Sequence, residues 1–447
     1  MASTEPVVHH APRPPSAETL SLAARKLIPI LLICYIFSFL DRTNIGFAKT
    51  HLQIDVGISA AAYGLGAGLF FLTYAALEIP SNLMLHRVGA RFWIARIMVT
   101  WGILSALMAV VKGPTSFYIL RLLLGAAEAG LYPGVVYLIS MWWPQENRAR
   151  MQGIFLIGAC IASIVGAPFA GALMMLEGMS GLHGWQWMFI LMGLPCVPLA
   201  VVVWKYLPDR PTRAPWLDPA IAKELEDYIA AENAAGAQAS GNHDIWAVLK
   251  DRQILFAVLA YMTNQLGVYT VVYFLPSIVA AGGPGLSSLQ VGLLIAIPWI
   301  CAAIGAAVIP RLAERDLKPK RWMLISTAGM FAGLLIAVCG SPWVAFAGYC
   351  LVGLCFIAPQ PLYFAHVGSR LQGAMLAAGL AAVNTFGLFG GFLGPTVMGK
   401  LQQMTGQTTA GLWFVIFIQA LGLLLISCLK PHSAIKIEMR MAGRAGT

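Results

Sequence analysis

Residues 87–93, Arg87-Val-Gly-Ala-Arg91-Phe-Trp93, join two apolar runs, 63–85 and 92–111. A second basic loop, Arg315-Asp-Leu-Lys-Pro-Lys-Arg321-Trp322, joins the runs 288–311 and 322–340, shifted by 228–229 residues. Gly166-Ala-Pro168 and Gly394-Pro395 repeat at a shift of 227. Short basic loops recur easily by chance. Two unlike landmarks at one shift argue instead that the chain is two related halves, and parallel repeats are a common construction of membrane folds.

Outward from these landmarks the apolar runs continue at 27–48, 115–142, 149–176, 185–207, 253–280, 343–366, 371–399 and 411–429, which makes twelve. A crossing helix needs about 20 apolar residues. Of the 447 residues, 59% are apolar and 11% charged, against roughly 25% charged in a soluble domain. So little charge cannot cover a soluble surface, which excludes a soluble enzyme as well as disorder. The chain reads as an all-α polytopic membrane protein with two six-helix bundles, 27–207 and 253–430. Residues 1–26 are rich in Ala, Pro, Ser and His and lack an apolar core, so they read as a tail and not as a cleavable signal. The long polar segment 208–252 holds Pro208, Pro211, Pro215 and Pro219, then Lys223–Glu232, which suits a short surface helix. Residues 234–241 read as a flexible linker, and 431–447 as a second tail.

Lys and Arg orient the chain. With the N-terminus in the cytoplasm, 24 of the 29 fall in cytoplasmic segments and three, Lys49, Lys112 and Lys400, in outer ones. Arg42 and Arg121 lie within spans. This asymmetry places both termini in the cytoplasm. It also accounts for the net charge of +10 without a nucleic acid partner. The eight cysteines form no C-x-x-C motif and no cluster with His, so no disulfide framework, metal or cofactor is implied. Phosphate-cradling loops and nucleophile motifs are absent.

The informative residues are charges inside spans: Asp41 and Arg42, Glu78, Arg121 and Glu128. Each costs roughly 2.5–3.5 kcal/mol at the centre of an inserted helix and needs a partner or a wet cavity. Arg121 and Glu128 are seven residues apart, so they share one helix face about 10 Å apart. Asp41 and Arg42 diverge by about 100°, so one at most faces the centre and the other braces a neighbouring helix. A shift of 228 carries Asp41, Arg42, Arg121 and Glu128 to Tyr269, Thr270, Tyr349 and Phe356, so a cavity between the halves would have one charged wall and one polar-aromatic wall. A carboxylate beside an arginine in such a cavity can exchange that arginine for a proton when an anion arrives. Fixed ion pairs are the bland alternative, strongest for Glu78. In the second half, the span amides Asn264 and Gln265 are candidates to line the cavity, while Gly387, Gly391, Gly394 and Gly399 read as a close-packing seam. Gly394-Pro395 is also a candidate point of flexure. Trp142, Trp143, Trp185 and Trp187 fall at span ends, where an interfacial anchor is expected.

On these residues the sequence resembles the anion:cation symporters of the major facilitator superfamily. The resemblance rests on Phe39-Leu-Asp41-Arg42-Thr-Asn-Ile-Gly-Phe-Ala48 and Arg121-Leu-Leu-Leu-Gly-Ala-Ala-Glu128-Ala-Gly-Leu-Tyr-Pro-Gly134. Glu78-Ile-Pro-Ser-Asn82, His183-Gly-Trp-Gln-Trp187 and Asn384 before Gly390-Gly-Phe-Leu-Gly-Pro395 extend it over about 27–430. It implies a major facilitator fold of twelve helices and alternating access. It further implies proton-driven uptake of an organic carboxylate by a monomer in the bacterial inner membrane. Carried over, Asp41 and Glu128 are proton sites, and Arg42 and Arg121 serve the anion and the coupling network. Tyr74 and Asn384 match substrate-contacting positions. Glu78, Arg87, Gly89, Arg91, Gly394 and Pro395 fall to structure and gating. Phe39 and Ala159 stand where sugar-acid members carry Tyr and Gln, which points to a smaller or more aromatic carboxylate. His86 stands where the loop motif often has Asp. A proton-independent facilitator or exchanger and a transport-like receptor are the other functions such a chain allows.

Overall fold

The computed structural model describes residues 14–237, 248–371 and 373–430. Among them are 12 helices long and apolar enough to cross a membrane. The first half comprises α1 (Ala17–Asp55), α2 (Ala60–Val88), α3 (Ala90–Leu107), α4 (Pro114–Glu128), α5 (Leu131–Trp142), α6 (Gln145–Met174), α7 (Gly184–Gly193) and α8 (Cys196–Tyr206). The polar segment carries α9 (Pro219–Ala237). The second half comprises α10 (Arg252–Gly282), α11 (Ser288–Asp316), α12 (Pro319–Cys339), α13 (Pro342–Phe356), α14 (Gln360–Gly368), α15 (Gly373–Thr405) and α16 (Thr408–Ser427). Pairs α4–α5, α7–α8 and α13–α14 are each one crossing interrupted near its middle.

Helix boundaries depart from hydropathy where caps set them. The first helix starts at Ala17, inside the expected tail, because the Ser16 hydroxyl caps it by accepting from Thr19 N at 3.1 Å. It runs on to Asp55, past the apolar run. The surface helix is longer than its charged stretch. It buries Ala222, Leu225 and Ile229 at helical spacing, and its Glu232 pairs with Arg148 at 3.3 Å. Of the expected linker 234–241, residues 234–237 instead continue α9, and 238–241 lie outside the described residues. The tryptophans at span ends are not all anchors. Trp142, Trp143 and Trp185 are buried, and Trp185 Nε1 donates to Asp55 at 3.0 Å.

Alternation of the twelve spans gathers the basic loops at one end of the helices. That end is called the charge-rich end below, and the end carrying Asp55, Lys112 and Lys400 is called the charge-poor end. The halves meet along three seams, α1 with α10, α2 with α15 and α6 with α11. Glycine permits the last two. A Cβ on Gly64 would lie 2.3 Å from Pro395 O, and one on Gly292 would lie 2.3 Å from Ala167 O. On α15, Gly399 faces α2, Gly387, Gly390 and Gly394 face α10, and Gly391 lies between Tyr269 of α10 and Phe71 of α2, so the glycine stripe packs two helices at once. Gly394 and Pro395, the candidate point of flexure, lie inside α15, which runs through Pro395 as one helix.

Candidate functional site

The site begins with an interruption. Crossing four stops at Glu128 because Ala129 leaves the helical region and Gly130 takes φ +95°. Ser81 of α2 meets the exposed backbone there. Its hydroxyl donates to Ala129 O at 2.6 Å and accepts from Trp93 Nε1 at 2.9 Å. Burial of these groups demands such partners. The break fixes Glu128 as the last residue of α4, where α1 can reach it.

The Arg42 guanidinium forms an ion pair with Glu128 Oε1, and the Ser38 hydroxyl donates to the same oxygen at 2.5 Å. The other carboxylate oxygen is buried and has no partner among the described residues. Around Arg42 stand the rings of Phe39, Phe70 and Tyr74, with centroids at 5.6, 5.4 and 5.3 Å. Arg121 lies on the other side of the arrangement. It donates to the α2 carbonyls of Gly66 and Ala67, both at 3.2 Å, and lies 4.9 Å from the same Phe70 ring. Two guanidinium groups therefore share one aromatic ring, a geometry favoured by the ring's negative faces. Arg121 and Glu128 do occupy one face of α4, yet one engages α2 and the other α1. Arg121 is 2% exposed and has no carboxylate partner among the described residues.

Asp41 points elsewhere. Trp101 Nε1 at 2.9 Å, Asn44 Nδ2 at 3.2 Å and the Ser105 hydroxyl all donate to it. These partners lie on α1 and α3, so Asp41 braces two helices within the first half while Arg42 faces the site. Adjacency in a helix separated them as expected.

Across the interface, Asn384 of α15 donates to both Glu78 oxygens at 3.0 and 3.2 Å, so a candidate substrate contact and a candidate structural carboxylate are partners that tie the halves. Gln265 accepts from Gln360 Nε2 at 3.0 Å. Asn264 is 1% exposed, and neither amide atom has a partner among the described residues. Tyr269 meets Phe71 of the first half at 4.3 Å. Thr270 instead bonds Leu266 O in its own helix. Tyr349 and Phe356 line a small apolar void with Trp299 and do not complete a wall opposite the charges. A shift of 227 instead of 228 aligns Arg42 with Tyr269, which does cross to the other half.

The loop motif is rearranged. Gly89 adopts φ +93° and closes α2 by donating to Leu85 O at 2.9 Å. Asp209, from the polar segment, caps α3 by accepting from Arg91 N at 2.7 Å, and the Arg91 guanidinium donates to Trp204 O. His86 packs its ring on Tyr137 at 4.1 Å. Arg87 is exposed and joins no ion pair among the described residues.

Sequence reasoning missed Ser38, Ser81, Gln360 and Lys49. The first three are common residue types whose only signal is position opposite a charge, a helix break or an amide. The fourth was placed in an outer segment because the apolar run ends at residue 48.

Against known proteins, the profile of the Major Facilitator Superfamily matches residues 31–395 and 257–435. The chain belongs to that superfamily. It is a multi-pass membrane transporter and not an enzyme. It is 40% identical over 401 residues to a quinolone resistance transporter of Acinetobacter baumannii, covering 90% of this chain and 92% of that one. It is 39% identical to a putative tartrate transporter of Agrobacterium vitis, covering 92% and 95% of the two chains. Among solved structures, an inward-facing, unoccupied bacterial homologue of the human lysosomal transporter Spinster shares the fold. That match has a TM-score of 0.74 at 17% identity and covers 92% of this chain and 98% of the other.

Proposed function

We propose that the protein takes up an organic carboxylate together with protons by alternating access across a bacterial inner membrane. The charge-rich end and both termini would face the cytoplasm. The carrying observation is the Arg42–Glu128 pair, enclosed by three aromatic rings and sharing Phe70 with Arg121. An incoming carboxylate competes with Glu128 for Arg42. Once Glu128 loses its cation, its buried carboxylate is uncompensated and takes up a proton. Charge then balances in both arrangements, so anion and proton move together. Asp41, held by three donors away from the interface, acts by fixing α1 against α3. Asn264 and Gln265 supply neutral hydrogen-bonding groups from the other half.

The rings around Arg42 favour an aromatic carboxylate. The relative named for quinolone resistance supports this class, since a quinolone carries a carboxylate on a fused aromatic ring, while the relative named for tartrate supports a carboxylate without requiring a ring. That second name also favours an alternative in which the same site serves export.

Proteoliposomes with a trapped pH dye test both readings. Benzoate, nicotinate, L-tartrate, D-gluconate and a quinolone are added in turn. Acidification with one class, abolished by Glu128→Gln and retained in part by Asp41→Asn, supports symport. Uptake of labelled acid without acidification replaces symport by facilitation or exchange. Movement of the quinolone alone, out of loaded vesicles, favours export.

A further inference from the structure

Lys49 is buried, 2% exposed, inside α1 near the charge-poor end. Its ammonium donates to Ser277 Oγ at 3.2 Å and to Gln402 Oε1 at 3.0 Å, and it sits 4.4 Å from the Phe274 ring centroid. Gln402 is oriented for this by its own bond to Thr408 at 3.0 Å. No carboxylate among the described residues forms an ion pair with Lys49. Both hydrogen-bond acceptors are neutral, and both belong to the second half. Ser277 stands 228 residues after Lys49, so repeat-related positions touch here.

A buried cation with neutral acceptors retains an uncompensated charge, and an anion is the partner that would satisfy it. Lys49 follows Arg42 by seven residues, which places both on one face of α1, about 10 Å apart along the axis. Between them that face is plugged. A Cβ on Gly46 would lie 3.1 Å from Pro276, and the Tyr63 hydroxyl lies 3.1 Å from the carbonyls of both Ile45 and Tyr273. From the charge-poor end inward the order is thus Lys49, the Gly46–Tyr63–Tyr273 plug, then Arg42. Separation of the halves at this end would withdraw Ser277 and Gln402 together and leave the cation lining the mouth.

We infer that Lys49 is an anion-docking site at the charge-poor mouth, where a substrate carboxylate binds before it passes along α1 to Arg42. The inference rests on the carboxylate reading of the central site. It assigns Lys49 more than a latch, because a latch needs only the two neutral bonds.

Two measurements test it. In proteoliposomes of one orientation, Lys49→Met should raise the KM for benzoate or nicotinate presented at the charge-poor end about tenfold. The KM at the charge-rich end should hold within about twofold, and Lys49→Arg should recover most of the loss. Equal changes at both ends, or a change in maximal rate alone, would reduce Lys49 to a latch and overturn the inference. The second measurement needs no transport. Spin labels at Ile54→Cys and Met404→Cys, exposed at the charge-poor end of opposite halves, are placed in a chain with Cys339→Ser and Cys428→Ser. Benzoate, and not neutral benzamide, should lengthen the distance in the otherwise native chain and leave Lys49→Met unmoved. A response to both compounds, or one that survives in the variant, overturns docking. If no acid crosses the membrane while this anion response persists, the transport reading fails and the docking site stands. If acids cross with unchanged KM in Lys49→Met, the docking site fails and the transport reading stands.

Discussion

The two halves share one helical plan and divide its chemistry. Among the described residues, the buried Asp, Glu, Lys and Arg side chains are Asp41, Lys49, Arg121 and Glu128, all in the first half. The second half buries Thr263, Asn264, Gln265, Thr270, Ser326, Thr327, His366 and Gln419. Of the charges in the first half, Glu128 pairs with Arg42, Arg121 takes backbone carbonyls, Asp41 takes neutral donors of its own half and Lys49 takes neutral acceptors of the other half. In the second half, Asn264, Ser326, Thr327, Tyr363 and Gln419 each keep at least one buried polar atom without a partner among the described residues. The contrast follows from cost. An unpaired ion in a low-dielectric interior is far more expensive than an unpaired amide, so each buried charge has at least two hydrogen-bonding partners, while Asn264 has none at either amide atom among the described residues. One half is suited to exchange ions, the other to adjust hydrogen bonds around whatever those ions bind.

Arg42→Met is the sharpest way to break this contrast. It leaves Glu128 buried without its cation, a loss of about 3–5 kcal/mol, and should lower the thermal midpoint in detergent and abolish carboxylate-driven acidification. An unchanged midpoint would mean that Glu128 is not held as an ion. Next in size is Gly64→Val, which drives a side chain into the α2–α15 seam. Overpacking of about 1–3 kcal/mol should separate the halves at the charge-poor end, read as a longer distance between labels at 54 and 404, while each half stays folded. Asn264→Leu tests the neutral half. Replacing an unpartnered buried amide by an apolar side chain should raise the midpoint by about 1 kcal/mol in stability while raising the KM for the acid. A falling midpoint would show that ordered water satisfies the amide. Asp209→Ala removes the cap of α3 and should cost about 1 kcal/mol, seen as faster amide exchange over residues 90–93.

The smallest effect lies in the loop at the charge-poor end. His183 Nδ1 lies 2.7 Å from Glu177 Oε1, and Gly184 N donates to Glu177 Oε2 at 2.6 Å. The hydrogen bond to Glu177 raises the His183 pKa above its ordinary 6.5. The Gly184 N–H, then the His183 hydrogen bond, lower Glu177 below its ordinary 4.5. The His183 contribution is full below 6.5 and is lost as pH rises through the raised folded value. The Glu177 contribution is full above 4.5 and is lost as pH falls through the lowered folded value. The contact is therefore strongest between these two ordinary values. An NMR titration of the His183 ring should show its midpoint fall toward 6.5 in Glu177→Gln.

Much of the architecture was legible along the chain, because hydropathy and loop charge are properties of neighbouring residues. The twelve crossings, the two halves and the superfamily all follow from runs, repeats and two charged motifs. The interruption after Glu128 was present as Gly130 and Pro133, but apolar residues on both sides hid it. Lys49 was misplaced for the converse reason, since a helix continued by tertiary packing outlasts its apolar run.

The sequence by itself determined that Asp41, Arg42, Glu78, Arg121 and Glu128 enter the membrane and that Asp41 and Arg42 must point apart, since both are consequences of composition and helical angle. Which of the two faces the site was decided only in the tertiary structure. So were the pairing of Glu128 with Arg42, of Glu78 with Asn384 and of Lys49 with Ser277 and Gln402. The partners are separated by 86, 306, 228 and 353 residues. No local pattern encodes such contacts, because they exist only once distant helices have packed together, within the first half for Arg42 and Glu128 and across the two halves for the others.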